Sequence, residues 1–305
     1  MSIVFFGSSE FSIPFLDSFR KDIKLVITSP DKIGGRGKRF VSNPVKSFAL
    51  REDLPVITID KFEEEEYFKI KAVNPEIFMV VSYGKIIPQE ILSLAKCALN
   101  LHPSKLPLYR GAAPIERQIM DGVEDSAICI IKVIKQLDAG DIIFEEPFKI
   151  LPFETKGEVE EKIVKISVPL LRRAIEIVSH DKCEGRKQVG TPTYARKITR
   201  SDELIVWSDS GIRIYNKTRA LNPRPGAYTY FRQRLLKIFK TEFLTFSTSF
   251  SPGTMFNVSK EYFYVSCGEG SIKVLDLQVE GGKKISAKDF INGFKIYEGE
   301  ILGQE

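Results

Sequence analysis

Short apolar runs alternate with polar stretches of helical length through the first half of the chain. Residues 2–6, 23–28, 55–59, 77–81 and 97–101 read as strands, and residues 14–20, 44–51 and the acidic 62–73 read as helices. These strands lack polar alternation, so each is expected to be buried on both faces. Alternating strand and helix predicts a parallel sheet covered by helices. Residues 156–179 predict a long amphipathic helix, and the polar, basic stretch 180–200 reads as a linker. Beyond it, a helix over 210–220 leads to short β pieces at 228–231, 235–240, 253–258, 263–266 and 272–278. Such closely spaced strands suggest a small barrel, with an OB-like form favoured because that architecture commonly presents a nucleic-acid surface. The fold class is therefore α/β: a Rossmann-like, mostly parallel sheet in an N-terminal domain (1–180), a basic linker (181–206) and a smaller β-barrel (OB-like) C-terminal domain (207–305).

At 305 residues and 43% hydrophobic content the chain can fill two cores. The net charge of +5 hides an asymmetry: residues 182–240 hold fourteen Lys/Arg against four Asp/Glu, a local +10 that leaves −5 elsewhere. A single-sign field of that size points to a polyanionic partner, the plainer alternative being a solvated linker with basic helix faces. The four cysteines show no CxxC pair and no histidine at ligand spacing, which argues against a metal site. Cys97 and Cys129 lie in apolar runs and read as small buried hydrophobes. Gly7-Ser8-Ser9 follows the first strand without completing GxGxxG, which argues against a dinucleotide. No apolar run approaches the roughly 20 residues that span a bilayer, and the first residues enter a strand directly. A cytoplasmic protein with no membrane partner is expected.

One segment is hard to explain by packing alone. Asn100 and His102 close an apolar run, and Pro103-Ser104-Lys105-Leu106-Pro107 continues toward Arg110-Gly111-Ala112-Ala113-Pro114. A second segment, Leu137-Asp138-Ala139-Gly140-Asp141, follows the apolar run 128–134. Open α/β sheets place reactive groups at such strand ends. No activated nucleophile accompanies them: Ser104 is two residues from His102, but Pro103 intervenes and no elbow motif surrounds it. An amide and an imidazolium can instead hold a developing oxyanion, with a carboxylate orienting the ring. That set suits acyl transfer to a nucleophile brought by the substrate, and a neutral α-amine is the natural candidate. Taken singly, a histidine near a strand end is more often a satisfied polar group, and Leu-Asp-Ala-Gly-Asp is a fair turn.

Together the segments closely resemble the methionyl-tRNA formyltransferase family of the folate-dependent formyltransferases. The likeness runs through Ile3 to Gly7, Gly35-Arg36-Gly37-Lys38, Ser82-Tyr83-Gly84-Lys85-Ile86-Ile87-Pro88, Asn100 to Ile115, Leu137 to Asp141, Thr193-Tyr194-Ala195, Asn222-Pro223 and Pro225-Gly226-Ala227. It implies formyl transfer from 10-formyltetrahydrofolate to the α-amine of methionyl initiator tRNA, without a metal, by a monomer. Asn100, His102 and Asp138 fall on the family's catalytic positions. Ser82, Tyr83, Gly84, Ile86, Ile87, Pro88, Ser104, Leu137 and Asp141 fall on or beside its folate pocket. Arg36 falls on its key acceptor-end arginine, with Lys38, Arg39, Arg196, Lys197 and Arg224 as further tRNA contacts. His102 serves either the oxyanion or the departing folate nitrogen, and Asp138 either orients or takes a proton. Gln136, Val206 and Arg224 depart from the usual family pattern. Formylation of a small-molecule amine (an amino sugar or a ribonucleotide), or RNA binding by an inactive homologue, are the competing readings.

Overall fold

The computed structural model describes residues 1–34, 39–180 and 183–303. They form two compact units, Met1–Pro114 with Asp125–Lys149 and Glu160–Ala195, and Ile115–Glu124 with Ile150–Val159 and Arg196 onward.

The first unit is built on seven strands: β1 (Ile3–Gly7), β2 (Ile23–Thr28), β3 (Val56–Thr58), β4 (Ile77–Val81), β5 (Cys97–His102), β6 (Asp125–Lys132) and β7 (Ile142–Lys149). Their order is β7-β6-β5-β4-β1-β2-β3. β1 to β5 run parallel, whereas β6 and β7 are antiparallel to their neighbours. Every residue of β1 and β4 is buried, as strands covered on both faces require. This is the parallel-dominated, Rossmann-like sheet expected. Helices α1 (Ile13–Ser18), α2 (Pro44–Arg51), α3 (Glu64–Ala72) and α4 (Gln89–Leu92) connect its strands. α2 starts where Asn43 Oδ1 accepts the N–H groups of Val45 and Lys46, with Pro44 at the first helical position. α3 carries Glu64, Glu65 and Glu66 in its first turn and Lys69 and Lys71 in its last, matching the helix dipole. In register, Gly7 pairs with Val81 and Val80 with Asn100, so the carboxyl ends of β1, β4 and β5 meet at one sheet edge. The strand order reverses between β1 and β4, the place where open α/β sheets hold ligands.

Cys97 is not a free buried thiol: it is joined to Cys183 by a disulfide, with Cα atoms 5.6 Å apart and 86 residues of sequence separation. The pairing depends on the chain returning to the start of β5 after a long helix, which no local spacing encodes. Cys129 and Cys267 are free and buried.

The second unit contains α5 (Pro114–Met120) from Ile115 onward, the first turn of α6 (Lys156–His180), α7 (Arg200–Glu203), α8 (Gly211–Ala220) and α9 (Ala287–Phe294). Its strands are β8 (Ala227–Phe231), β9 (Arg234–Leu244), β10 (Met255–Phe256), β11 (Phe263–Ser266), β12 (Ser271–Val279) and β13 (Ile285–Ser286). They form a curled antiparallel sheet in the order β8-β9-β12-β11-β10, with β13 on β12. β9 runs past the expected end at 240, because its ladder with β12 continues to Leu244. Trp207, Ile214, Phe231, Leu236, Phe263, Ile272, Leu277 and Phe290 share its core. The indole N–H of buried Trp207 donates to Thr229 Oγ1 at 3.0 Å.

Candidate active site

Side chains two apart on a strand share a face, so β5 presents Asn100 and His102 together at its carboxyl end. His102 is 3% exposed. Its Nε2 lies 2.9 Å from the carbonyl oxygen of Tyr109. A carbonyl only accepts, so Nε2 carries the proton and donates. The other ring nitrogen, Nδ1, faces Asp138 Oδ2 at 3.6 Å. Asp138 is the hub of the site: Oδ1 accepts from Asn100 Nδ2 at 3.2 Å, and Oδ2 accepts from the backbone N–H of Gly111 at 2.8 Å. The three side chains, 38 residues apart at the extremes, thus meet through one carboxylate.

The loop after β5 is held by its own backbone. Arg110-Gly111 pairs in parallel with Tyr194-Ala195, and the Ala195 carbonyl also accepts from the N–H groups of Ala112 and Ala113. Gly111 has φ +126°, and a Cβ there would lie 2.7 Å from the Ala195 carbonyl oxygen. Only glycine fits. Gly140 is equally constrained: a Cβ would fall 1.7 Å from the Lys132 carbonyl oxygen. Residues 183–195, read from their polarity as linker, belong to the first unit. That segment contains Gln188. Its Nε2 donates to the carbonyls of Asp138 (2.8 Å) and Gly140 (2.9 Å), and its Oε1 accepts from Arg110 Nε (3.1 Å) and Nη2 (2.6 Å). Nothing in a single sequence separates that glutamine from its polar neighbours.

Residues 1–175 match the family described as "Formyl transferase", and residues 197–295 match "Formyl transferase, C-terminal domain". A methionyl-tRNA formyltransferase of Carboxydothermus hydrogenoformans is 41% identical, the alignment covering 99% of this chain and 99% of that one. The chain belongs to the methionyl-tRNA formyltransferase family. It is a formyl-transferring enzyme. Among solved structures, the methionyl-tRNA formyltransferase from Clostridium thermocellum shares the fold at TM-score 0.59 and 19% identity, covering 90% of this chain and 99% of that chain. HypX from Aquifex aeolicus, solved in complex with tetrahydrofolic acid, does so at TM-score 0.66 and 14% identity, covering 99% of this chain and 50% of the longer HypX chain.

The positions that the methionyl-tRNA formyltransferase resemblance assigns to folate lie in different surroundings. Ser82, Gly84 and Ile86 are exposed after β4, Ile86 to 77%, and Leu137 is 57% exposed beside Asp138. Exposed apolar side chains at a polar site are what a flat aromatic ligand would cover. Tyr83 and Ile87 instead pack in the core, Tyr83 edge-on to Phe6 with ring centroids 5.4 Å apart. Burial pushes the Tyr83 phenol well up, and its hydroxyl has no hydrogen-bond partner. Ser104 is fully buried and donates to the Leu108 carbonyl, so its hydroxyl serves its own loop. Pro88 stands at the N-cap of α4, and Asp141 pairs with Lys187 at 2.9 Å. Lys85, between these positions, clamps the segment: Nζ reaches the carbonyls of Ile59 and Asp60 and Asp60 Oδ1, each at 2.8 Å. That ammonium holds the Asp60 carboxyl below its ordinary range.

Of the tRNA positions, Arg36 and Lys38 lie outside the described residues. Arg39 opens the strand Arg39–Val41, antiparallel to Lys32–Gly34. Arg196 and Lys197 are exposed, and their backbone carbonyls accept from Arg117 at 3.2 and 3.5 Å. Arg224 is exposed between two cis peptide bonds, Asn222–Pro223 and Arg224–Pro225. Among the described residues no group of three or more His, Cys, Asp or Glu could hold a metal, and no helix is long and apolar enough to cross a membrane.

Proposed function

We propose that this enzyme transfers the formyl group of 10-formyltetrahydrofolate to the α-amine of methionyl initiator tRNA. The observation that carries the chemistry is the convergence of Asn100, His102 and Gly111 on the Asp138 carboxylate. The neutral amine attacks the formyl carbon, and the carbonyl π pair moves onto oxygen. The second N–H of the Asn100 amide stabilises that oxyanion, one such donor contributing about 2.7–4 kcal/mol, and the His102 ring adds a second donor once Nδ1 has been protonated. Because Nε2 is committed to Tyr109, Nδ1 is the nitrogen left to exchange protons in the site. It takes the proton released by the amine and returns it to the folate nitrogen, with the Asp138 carboxylate facing Nδ1 at 3.6 Å. Collapse of the intermediate re-forms the carbonyl and breaks the bond from carbon to that nitrogen. Ile86 and Leu137 offer the apolar surface for the folate, together with Ser82 and Gly84.

The basic residues 182–240, with Arg196, Lys197 and Arg224, and the cations Arg36, Lys38 and Arg39 supply the attraction for tRNA. On this reading residues 1–180, with 183–195 packed in the same unit, serve the chemistry, 207–305 bind RNA, and a monomer acts in the cytoplasm. The test is incubation with methionyl initiator tRNA and 10-formyltetrahydrofolate, scored by mass for N-formylmethionine, beside an elongator tRNA control. Affinity for the tRNA should fall steeply with salt. Formylation of a small amine with a shallow salt slope, and none of the tRNA, would overturn the substrate assignment.

A further inference from the structure

We propose that Gln188 is a positioning residue of formyl transfer, fixing the backbone on which the Asp138 carboxylate is mounted. The proposal rests on the functional reading above. Asp138 has φ +47°, a left-handed conformation that aspartate adopts more readily than most residues and that its contacts hold in place. Two kinds of contact can enforce it here. On the side-chain side, Asn100 and Gly111 donate to the carboxylate. On the backbone side, the Asp138 carbonyl takes its hydrogen bond from Gln188 Nε2, which spends its second N–H on the carbonyl of Gly140. Gly140 is pressed against the Lys132 carbonyl, and Lys132 N–H in turn donates to the Asp141 carbonyl at 2.9 Å. The far end of the turn is therefore anchored to β6, and Gln188 ties both turn carbonyls together.

The same amide ties the turn to the opposite loop. Arg110 is a buried guanidinium whose Nε and Nη2 both donate to Gln188 Oε1, and the next residue, Gly111, is the one whose N–H meets Asp138 Oδ2. One side chain therefore sets the spacing between the two loops that grip the carboxylate. Glutamine is suited to this because it offers two N–H donors on one atom and an acceptor on the other. A glutamate keeps the size and the bond to Arg110 but has no N–H to give, and sets an anionic oxygen against two carbonyls. A displacement near 1 Å at a reacting centre can lower a rate about 100-fold.

The test is Gln188→Glu in the full-length enzyme, read in two ways. Steady-state formylation of methionyl-tRNA should show kcat reduced ten- to hundredfold, with KM for both substrates within twofold of wild type. Hydrogen exchange of the Gly111 amide, measured without substrate, should be at least tenfold faster, because its acceptor is no longer held. In an Asp138→Asn background the same change should cost less than twofold in kcat, since both act through one group. Gln188→Ala, read identically, replaces the glutamate variant if that does not fold. Unchanged kcat, a loss lodged in KM, an equal loss in the Asp138→Asn background, or unaltered Gly111 exchange each overturns the proposal. A wild-type protein that formylates no methionyl-tRNA overturns the functional reading instead, while the exchange result still reports on the clamp.

Discussion

Tyr109 takes the Nε2 proton of His102 on its backbone carbonyl at 2.9 Å, so the imidazole is pinned by the loop that follows its own strand. Tyr109 sits at φ +58°, and turning its carbonyl away would release the ring. His102 is thereby presented with one nitrogen spoken for and the other toward Asp138. His102→Ala should lower kcat by about 10²–10³-fold, the loss expected for one oxyanion donor. The dissociation constant for methionyl-tRNA should stay within twofold, since the ring is almost wholly buried. Filter binding beside single-turnover formylation separates the two. A matched loss of affinity would make the residue a binding group.

Gly111→Ala tests the loop that supplies the N–H to Asp138. The added methyl has no free volume, lying 2.7 Å from the Ala195 carbonyl oxygen, and φ +126° is unfavourable for any L side chain. The loop must shift, and the 2.8 Å bond to Oδ2 must lengthen. Turnover should fall at least tenfold, and thermal stability should drop by about 1–3 kcal/mol, the usual size of such backbone strain. Normal kinetics would mean that Gly111 tolerates the shift without moving the carboxylate.

The parts of this site that could be read in the sequence are those carried by short range order. Apolar runs ending in Asn100 and His102 mark a strand end, and the Asp-Ala-Gly-Asp turn marks another. Neither run states that the two ends meet. That follows from β5 and β6 being neighbours, with Asn100 opposite Ile131, and the family resemblance stood in for it. Gln188 lies beyond both kinds of signal. It acts 50 residues from Asp138 and 78 from Arg110, in a stretch whose polarity reads as solvent-facing linker. The individual roles of Tyr83 and Ser104 were illegible for a different reason: whether a polar side chain points to a ligand or into its own core is a matter of rotamer and packing.

The disulfide leads to a count of thiols. With Cys97 joined to Cys183, only Cys129 and Cys267 are free, and burial pushes both thiols up to about 12. Native protein should therefore react slowly with a thiol reagent at neutral pH, since the thiolate is the reactive species. Unfolded without reductant it should show two thiols, and after reduction four. Four thiols in the unreduced, unfolded protein would show the bridge to be open.

Within the second unit, Arg117 of α5 grips Asp202 of α7 by two parallel bonds of 2.9 Å, and Asp202 Oδ2 also accepts from the N–H and hydroxyl of Thr199. The guanidinium, with those hydrogen bonds, holds the Asp202 carboxyl well below the ordinary carboxylate range. A depressed folded-state pKa means that the unfolded chain binds the proton more readily. The stability it contributes is complete above the unfolded value near 3.8 and is lost as pH falls through the folded value. Both side chains remain about a quarter exposed, so screening keeps the contribution to about 1 kcal/mol. Asp202→Asn should therefore melt a few degrees below wild type at pH 7, by the size of shift such an energy produces. That gap should hold down to about pH 5 and narrow as the pH falls further toward 3. Melting curves across that range decide it, and a gap that widened on acidification would reverse the sign assigned to Asp202.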